Sequence, residues 1–387
     1  MKVLIFAPTY PPAVRGGGPT RSLEALVATA PATVSTRVIA WDSDLDGEPL
    51  AVERDVWLGN ATRGVRFVSV RPIGRLIASY TWMRSARPDA LYFNSFFNFP
   101  FSILPQLLVR FGQWRGAVRV LAPRGEFGAG ALQRRSAKKR VFLAVFRALG
   151  LHRRLVWHAT SEQEAEDIRR LWGTNAEVLV RPVDTLLSAV ALRLQHPNSV
   201  PTFAFLGRIV EHKGLAIVLR ALASIDDDIA LDVYGSEEDQ AYTTECRALA
   251  DALPGNIRVR FLGLLPNPQV RATLSGYDAL LMPTAGENFG HAIAESLSAG
   301  CPVVATPYTP WTTVLAEGGG RVVADRAVES WRRELQVLAG ADTDARLQNR
   351  SDAADAYDRW RATPRPGHLF DTIRDRIGAA RHRPDER

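Results

Sequence analysis

The chain has 387 residues, of which 46 % are hydrophobic and 23 % are charged, which is typical of a folded protein with two domains. Its formal net charge of +7 favours an anionic partner without choosing among nucleotide, lipid headgroup and nucleic acid. The two cysteines, Cys246 and Cys301, lie too far apart to indicate a disulfide framework or a zinc site, so a cytoplasmic location is expected. The sequence contains no run of about eighteen apolar residues, so no membrane-spanning helix is predicted.

Short apolar segments alternate with helical segments through the first half of the chain. Residues 1–8 are expected to start a sheet rather than to form a signal sequence. Helices are expected from about Arg21 and from Glu162, where Ser161 and Glu164 match a capping box. Strands are predicted at residues 3–7, 37–41, 65–70, 90–93, 118–122, 155–159 and 178–180. This alternation predicts a doubly wound α/β domain.

A glycine-rich loop follows the first predicted strand. Gly16, Gly17 and Gly18 precede the first helix, at the carboxyl end of a strand, where parallel sheets bind their ligands. The loop lacks the G-x-G-x-x-G fingerprint, because Arg21 stands where the third glycine would be. The sequence therefore argues against a dinucleotide-dependent oxidoreductase.

A polar segment with two prolines, residues 192–201, separates this half from a second alternating pattern. Further strands are predicted at residues 202–206, 230–234, 258–261, 279–282 and 302–305. We therefore expect two Rossmann-like domains, at residues 1–195 and 196–365. The remaining residues, 366–387, form a charged tail.

Two carboxylates frame a glycine turn after the strand predicted at residues 279–282. Glu287 lies in the loop, Glu295 lies about one turn into the following helix, and Gly290 between them lets a ligand approach the backbone. The free N–H groups and the dipole of a first helical turn favour an anion. Carboxylates suit hydroxyl groups, so the loop indicates a site for a phosphate that carries a sugar or a ribose.

Two cations, Arg208 and Lys213, follow the strand predicted at residues 202–206. Arginine offers a planar fork to phosphate oxygens and lysine offers a point charge. Either residue alone would be interpreted as a solvated surface cation. Together with Glu287 and Glu295 later in the same domain, they indicate a diphosphate site.

These motifs resemble those of the retaining glycosyltransferases of family four. Glu287 and Glu295 match the E-x7-E signature, and Arg208 and Lys213 match the G-R-x(n)-K-G motif. The sequence of residues 286–311 is similar to that of the bacterial polysaccharide-biosynthesis branch of this family. The resemblance covers most of the chain and implies the GT-B fold, with two Rossmann-like doubly wound domains facing each other across a cleft. In that fold the final helix commonly crosses back to the first domain, which the tail would allow.

The resemblance also implies roles for these residues. Arg208 and Lys213 would neutralise charge on the departing diphosphate and Glu287 would hold sugar hydroxyls, so these three are the catalytic candidates. The donor-binding candidates are Gly207, Arg208, Lys213, Glu287, Asn288, Phe289, Gly290 and Glu295. Amides near Phe289 and Gly290 would bind phosphate, and Glu295 would bind the ribose. The resemblance further implies retention of the anomeric configuration within an ion pair, with no metal and no other cofactor.

The family's histidine that contacts the transferred sugar has no counterpart in the first-domain loops of this chain. Asn94, Ser95 and Arg124 remain alternatives for its part. The full set of acceptor or cleft candidates is Gly16, Gly17, Gly18, Asn94, Ser95, Arg124 and Glu126.

Residues 133–154 mix eight arginines and lysines with apolar side chains. Such a segment is either a solvated helix face or a helix that lies on an anionic membrane. Since polysaccharide-building members of the family often use acceptors on lipid diphosphate, we expect peripheral docking at the inner membrane.

The expected function is transfer of a sugar from a nucleotide-diphosphate sugar to a glycan or a lipid-linked saccharide in cell-surface polysaccharide synthesis. A nucleotide-sugar epimerase of the same fold stays open as an alternative, since it would share the donor site. A basic nucleic-acid-binding protein would rest on charge alone, and no nucleic acid is expected as a partner.

Overall fold

The computed structural model describes residues 1–83, 87–128, 132, 136–193 and 198–381. The chain forms two compact units. The first comprises Met1–Leu186 and Arg365–Arg387, and the second comprises Leu187–Pro364. The chain therefore leaves the first unit before residue 195, and its tail belongs to the first unit. No helix in the described ranges is both long enough and apolar enough to cross a lipid bilayer.

The first unit is built on a parallel sheet. Its strands are β1 (Lys2–Ala7), β2 (Ser35–Trp41), β3 (Leu58–Gly59), β4 (Arg63–Val68), β5 (Ala90–Phe93), β6 (Val118–Leu121), β7 (Leu155–Ala159) and β8 (Val178–Val180). The strand order is β3-β4-β2-β1-β5-β6-β7-β8, and β3 pairs antiparallel with β4 while the other pairs are parallel. The direction of the order reverses between β1 and β5, which is where doubly wound sheets bind ligands.

Helices cover both faces of this sheet. They are α1 (Gly17–Ala28), α2 (Ile73–Trp82), α3 (Leu104–Arg110), which follows a π-helical turn at Phe99–Ile103, α4 (Ser136–Ala148) and α5 (Glu162–Trp172). Alternate residues of β1 point to opposite faces. Val3 and Ile5 pack in the core with α1, whereas Leu4 and Phe6 pack in the core with α2, α3, α4 and α5.

The second unit repeats this design. Its strands are β9 (Thr202–Leu206), β10 (Ile229–Tyr234), β11 (Ile257–Gly263), β12 (Ala279–Met282), β13 (Val303–Ala305) and β14 (Gly320–Val322). Its helices are α6 (Leu215–Leu222), α7 (Gln240–Asp251), α8 (Asn267–Leu274), α9 (His291–Ser298), α10 (Val328–Ala339) and α11 (Thr343–Ala362). The all-parallel order β11-β10-β9-β12-β13-β14 is the strand order of the Rossmann fold, and it reverses between β9 and β12.

The tail forms helix α12 (Leu369–Arg381), which completes the first unit. Leu369, Phe370 and Ile373 are buried in the core that contains β1 and α1. The ring of Phe370 meets Tyr92 of β5 edge to face at 6.3 Å between centroids. The segment is therefore part of the sheet's covering layer.

Candidate active site

The loops after β9 and β12 are joined by an ion pair. Lys213 Nζ lies 2.5 Å from Glu287 Oε1, and the two side chains are 15 % and 12 % exposed. Gly214, next to Lys213, has a left-handed backbone with φ of 79°. A Cβ atom there would lie 2.4 Å from the carbonyl oxygen of Pro283. Glycine is therefore required for the two loops to approach.

Arg326, which follows β14, holds the same two loops together. Its Nε donates to the carbonyl oxygen of Pro283 at 3.0 Å, and its Nη2 donates to that of Glu211 at 3.0 Å. Between these bonds, the N–H of Ala285 donates to the carbonyl oxygen of His212 at 2.7 Å. Arg326 is not predicted from the sequence, because it belongs to no local motif.

The loop after β13 fixes the backbone around Glu287. The N–H of Glu287 donates to the carbonyl oxygen of Tyr308 at 3.0 Å. The hydroxyl of Thr306 donates to the carbonyl oxygen of Thr284 at 2.7 Å. With its carboxylate held by Lys213 and its amide held by Tyr308, Glu287 is constrained at both ends.

Helix α9 begins after a glycine in the left-handed conformation. Gly290 caps the helix with φ of 78°, and a Cβ atom on it would lie 3.3 Å from Trp311 Cδ1. Trp311 is buried and its Nε1 donates to the carbonyl oxygen of Phe289 at 2.5 Å. Trp311 therefore shapes the turn that carries Asn288 and Phe289. Glu295 is buried one turn into the helix.

Arg208 lies apart from the Lys213–Glu287 pair. Its side chain is 48 % exposed, and its Nη1 lies 3.2 Å from Glu238 Oε2 in the loop after β10. Within the described ranges no hydrogen bond or ion pair joins Arg208 to Lys213. The backbones of Gly207 and Gly235 pack closely against each other, since a Cβ atom on Gly235 would lie 1.8 Å from the carbonyl oxygen of Gly207. The two cations therefore have separate carboxylate partners.

Two of the first-unit candidates contact each other directly. Arg124 Nε donates to Asn94 Oδ1 at 2.8 Å, and Arg124 Nη2 donates to the hydroxyl of Tyr92 at 2.9 Å. Arg124 adopts a left-handed backbone with φ of 55°, which is unusual for a residue with a side chain. Asn94 Nδ2 in turn donates to the carbonyl oxygen of Pro19 in α1 at 3.2 Å. The start of α1 and the loops after β5 and β6 thus meet at these residues.

Glu126 organises the loop after β5. Its Oε1 accepts from the Ser95 hydroxyl at 2.7 Å, and its Oε2 accepts from the N–H groups of Phe96 and Phe97 at 2.7 and 3.0 Å. Burial raises the pKa of the Glu126 carboxyl. Both oxygens are engaged in shaping the protein, so Ser95 and Glu126 form a supporting pair.

The glycine loop is more helical than the sequence predicts. Helix α1 starts at Gly17, with φ of 57°, instead of near Arg21. Gly16 lies against a bonded pair of hydroxyls, Thr9 and Thr20, and a Cβ on it would lie 1.9 Å from Thr20 Oγ1. Because α1 starts at Gly17, Gly18 belongs to the helix and not to the preceding loop.

Asp44 anchors the segment that leads into this loop. Its carboxylate accepts hydrogen bonds from the N–H groups of Val14 at 2.8 Å and Arg15 at 3.0 Å. The residue is buried and reaches across from the segment after β2. Asp44 thus fixes where the glycine loop begins.

His158 lies in a buried hydrogen-bond chain beneath Arg124. Its Nδ1 accepts from the Tyr92 hydroxyl at 2.8 Å, and its Nε2 donates to the carbonyl oxygen of Arg181 at 3.1 Å. Burial lowers the pKa of His158 to about 3. The neutral ring fits this pattern, because a carbonyl oxygen requires the proton on Nε2.

The basic segment is helical over α4, whereas Gln133, Arg134 and Arg135 lie outside the described residues. Phe146 is buried in the core, and Val141 on the outer side is 64 % exposed. Lys139 Nζ lies 5.1 Å from the ring centroid of Phe97. The described part of the segment therefore exposes apolar as well as cationic side chains.

Comparison with known proteins finds a family model that matches the second unit. Residues 193–352 match the model of the family described as "Glycosyl transferases group 1". The chain is 30 % identical over 178 residues to a phosphatidyl-myo-inositol mannosyltransferase of Mycobacterium leprae, a match that covers 41 % of this chain and 46 % of the relative. The chain spans about half the length of the curated relatives it matches.

Solved structures resemble the whole chain. A sucrose-phosphate synthase of Thermosynechococcus elongatus aligns over 98 % of both chains with a TM-score of 0.69 and 16 % identity. The Anabaena protein HepE, solved with UDP-glucose, aligns over 98 % of this chain and 99 % of its own with a TM-score of 0.67 and 15 % identity. The chain therefore has the GT-B fold. This confirms the predicted fold class, and the match of residues 193–352 to the group 1 glycosyltransferase model agrees with the predicted family.

Proposed function

We propose that the protein is a retaining glycosyltransferase that moves a sugar from a nucleotide-diphosphate sugar to a glycan or lipid-linked saccharide in cell-surface polysaccharide synthesis. The observation that carries this proposal is the contact between Lys213 and Glu287. It lies beyond the carboxyl ends of β9 and β12, where the strand order reverses and such sheets bind nucleotides.

In this proposal the second unit binds the donor. The Lys213 ammonium and the Arg208 guanidinium stabilise the charge that develops on the diphosphate as the sugar leaves. The first-turn amides of α9, opened by Gly290, bind a phosphate oxygen. Glu295 accepts hydrogen bonds from the ribose. These groups supply the positive charge at the diphosphate, so the proposed reaction uses no metal or other cofactor.

Glu287 acts on the sugar. Once the diphosphate attracts Lys213, the Glu287 carboxylate is free to accept hydrogen bonds from sugar hydroxyls. Because Glu287 would be engaged with those hydroxyls, we assign it no role as a covalent nucleophile. We therefore propose same-face attack by the acceptor within an ion pair, with retention of configuration.

The first unit holds the acceptor, near Asn94, Arg124 and the start of α1. A lipid-linked acceptor is supported by the name of the mycobacterial relative, which acts on phosphatidyl-myo-inositol. It is also supported by the cationic and apolar outer side of α4. In this proposal the protein works as a peripheral protein at the inner face of a membrane.

The experiment is a calorimetric screen of UDP, GDP and ADP, followed by the corresponding nucleotide sugars. We expect one nucleotide diphosphate to bind clearly more tightly than the others, and its sugar to be transferred. NMR of the product then gives the anomeric configuration, and inversion would contradict the proposed mechanism. Conversion of the donor sugar without any acceptor would instead identify a nucleotide-sugar epimerase. Failure of all three diphosphates to bind would refute the donor site.

A further inference from the structure

A cavity of about 480 Å³ opens on the sheet of the second unit, at the end opposite to the donor loops. Its lining includes Asn198, Thr202, Asp232, Arg258, Arg260 and Thr273. Thr202 begins β9, whereas Gly207 follows that strand at its other end. At about 3.3 Å per residue, the cavity and the donor loop are separated by roughly 17 Å. The cavity is therefore a second site and has no part in the proposed transfer.

Arg260 is held in the cavity by a buried carboxylate. Its Nε lies 2.7 Å from Asp232 Oδ1, and its Nη2 lies 2.6 Å from Asp232 Oδ2. The Tyr277 hydroxyl donates to the same Oδ2 at 2.6 Å and also lies 2.7 Å from the Tyr234 hydroxyl. The Asp232 side chain is 2 % exposed, but that of Arg260 is 66 % exposed. In an ordinary surface ion pair both groups are solvated. Here the carboxylate is buried and orients an exposed guanidinium.

Arg258 adds a second guanidinium on the same face of the edge strand β11. Residues two apart on a strand point to the same side, at a spacing of about 7 Å. Within the part of the chain that the structure describes, the Arg258 side chain makes no hydrogen bond or ion pair. Asp232 neutralises Arg260, so the cavity wall keeps one positive charge. A charged arginine on an edge strand can serve to prevent pairing with strands of other molecules. That role does not require the buried carboxylate of Asp232.

The rest of the lining offers groups for hydroxyls. The Thr202 hydroxyl donates to the carbonyl oxygen of Val200 at 2.8 Å, and its lone pairs remain able to accept. Asn198 Nδ2 donates to the carbonyl oxygen of Gly276 at 2.9 Å, which leaves the Asn198 Oδ1 as an acceptor. Thr273 provides a further hydroxyl.

We propose that this cavity binds the phosphomonoester of a small polyol, such as a sugar phosphate. The guanidinium of Arg258 would hold the phosphate with its planar fork, and Arg260 would add the N–H groups that Asp232 does not bind. Asn198, Thr202 and Thr273 would bind the hydroxyl groups. The volume lies in the range of small-molecule sites and accommodates one sugar ring with its phosphate.

The test is calorimetric titration of the full chain with glucose 6-phosphate, inorganic phosphate and glucose. We expect glucose 6-phosphate to bind more tightly than either part alone. Arg258→Gln should weaken this binding roughly tenfold or more, because it removes a charge-assisted hydrogen bond to the ligand. The variant keeps the Arg260–Asp232 pair, so it should fold normally. Arg333→Gln, which removes an exposed arginine from α10, is the matched control and should bind as the wild type does.

Lys213→Ala separates this site from the donor site. It should leave glucose 6-phosphate binding unchanged while it weakens nucleotide-diphosphate binding, so either site can fail without the other. The proposal is overturned if the wild type does not bind glucose 6-phosphate at millimolar concentration. It is also overturned if Arg258→Gln and Arg333→Gln bind alike, or if inorganic phosphate binds as tightly as the sugar phosphate.

Discussion

Lys213 and Glu287 form the contact that links the loops after β9 and β12, with 2.5 Å between Nζ and Oε1. Because both side chains are mostly buried, bulk salt screens their attraction less than it screens an exposed pair. A diphosphate competes with Glu287 for the same ammonium group. Donor binding and the release of the Glu287 carboxylate are therefore coupled in the proposed mechanism.

Lys213→Ala should weaken binding of the nucleotide diphosphate by roughly tenfold or more, because it removes a charge-assisted bond and leaves Glu287 near the phosphates. Arg208→Ala should have a smaller effect of several-fold, since Arg208 is half exposed. The free nucleoside should bind to both variants as it does to the wild type. Calorimetry gives these affinities, and Arg220→Ala, which breaks an exposed pair with Glu245, is the control. Unchanged diphosphate affinity in both variants would refute the phosphate clamp.

Glu295→Gln and Glu287→Gln should separate the nucleotide from the sugar. Glu295→Gln should weaken binding of the free nucleotide diphosphate, because a ribose contact is lost. Glu287→Gln should not weaken that binding, because it removes the carboxylate that competes for Lys213, and it should lower kcat for the sugar donor by roughly tenfold or more. Steady-state kinetics together with calorimetry checks both expectations. The reverse pattern would mean that the two roles are exchanged.

Arg326→Ala should lower kcat/KM for the donor sugar by roughly tenfold, because the loops carrying Lys213 and Glu287 lose two shared hydrogen bonds. Arg326→Lys keeps one donor and should recover part of this loss. Arg332→Ala, which breaks an exposed pair with Glu329 on α10, serves as the control. If Arg326→Ala lowers the melting temperature but leaves donor kinetics unchanged, Arg326 has no positioning role.

Exchange of Arg134, Arg135, Lys138 and Lys139 for Glu should abolish sedimentation with anionic liposomes. Each basic residue near such a surface contributes about 1 kcal/mol, so reversal of four of the eight charges offsets the attraction of the other four. Binding of the wild type should also fade as salt rises. A variant with Arg332 and Arg333 exchanged for Glu is the control. If the wild type does not sediment with anionic vesicles at low salt, the segment is a solvated helix face and the acceptor is water-soluble.

The buried His158 predicts acid sensitivity of the first unit. Its pKa is about 3 in the folded protein and about 6.5 when unfolded, because burial disfavours the charged ring. The unfolded chain therefore binds more protons between these values, and stability is lost as pH falls from 6.5 towards 3, by about 1.4 kcal/mol per pH unit. Thermal melting against pH should show a flatter slope for His158→Phe than for the wild type. His368, whose pKa burial also lowers, should leave some slope in that variant.

The strands could be predicted well because buried parallel strands are short apolar runs between turn signals. All of the predicted strands are present, with ends that differ by at most two residues. Leu58–Gly59 and Gly320–Val322 escaped prediction, since each is short and contains a glycine, which is depleted in strands. Only one of the two hydrogen bonds of the predicted capping box at Ser161 and Glu164 is present. Ser161 accepts from the N–H of Glu164, but the Glu164 carboxylate bonds the N–H groups of Thr160 and Gly125 instead of returning to Ser161.

The motif residues could be found from the sequence because glycines and charges recur at fixed spacings around a turn. The groups that support them could not. Arg326 lies more than a hundred positions from Glu211, and its bonds go to carbonyl oxygens that any residue supplies. The pairing of Arg208 with Glu238 likewise depends on two neighbouring strands, β9 and β10. Contacts of this kind are created by the tertiary structure and leave no local pattern.

The position of α12 in the core of the first unit has a consequence for biosynthesis. Leu369 and Phe370 cover the same face of the sheet as α1, although the whole second unit lies between them in the sequence. A ribosome therefore releases all of the strands of the first sheet before it makes the helix that covers them. During that interval the second unit can fold as a continuous segment, whereas the first exposes an apolar face to chaperones and to other nascent chains.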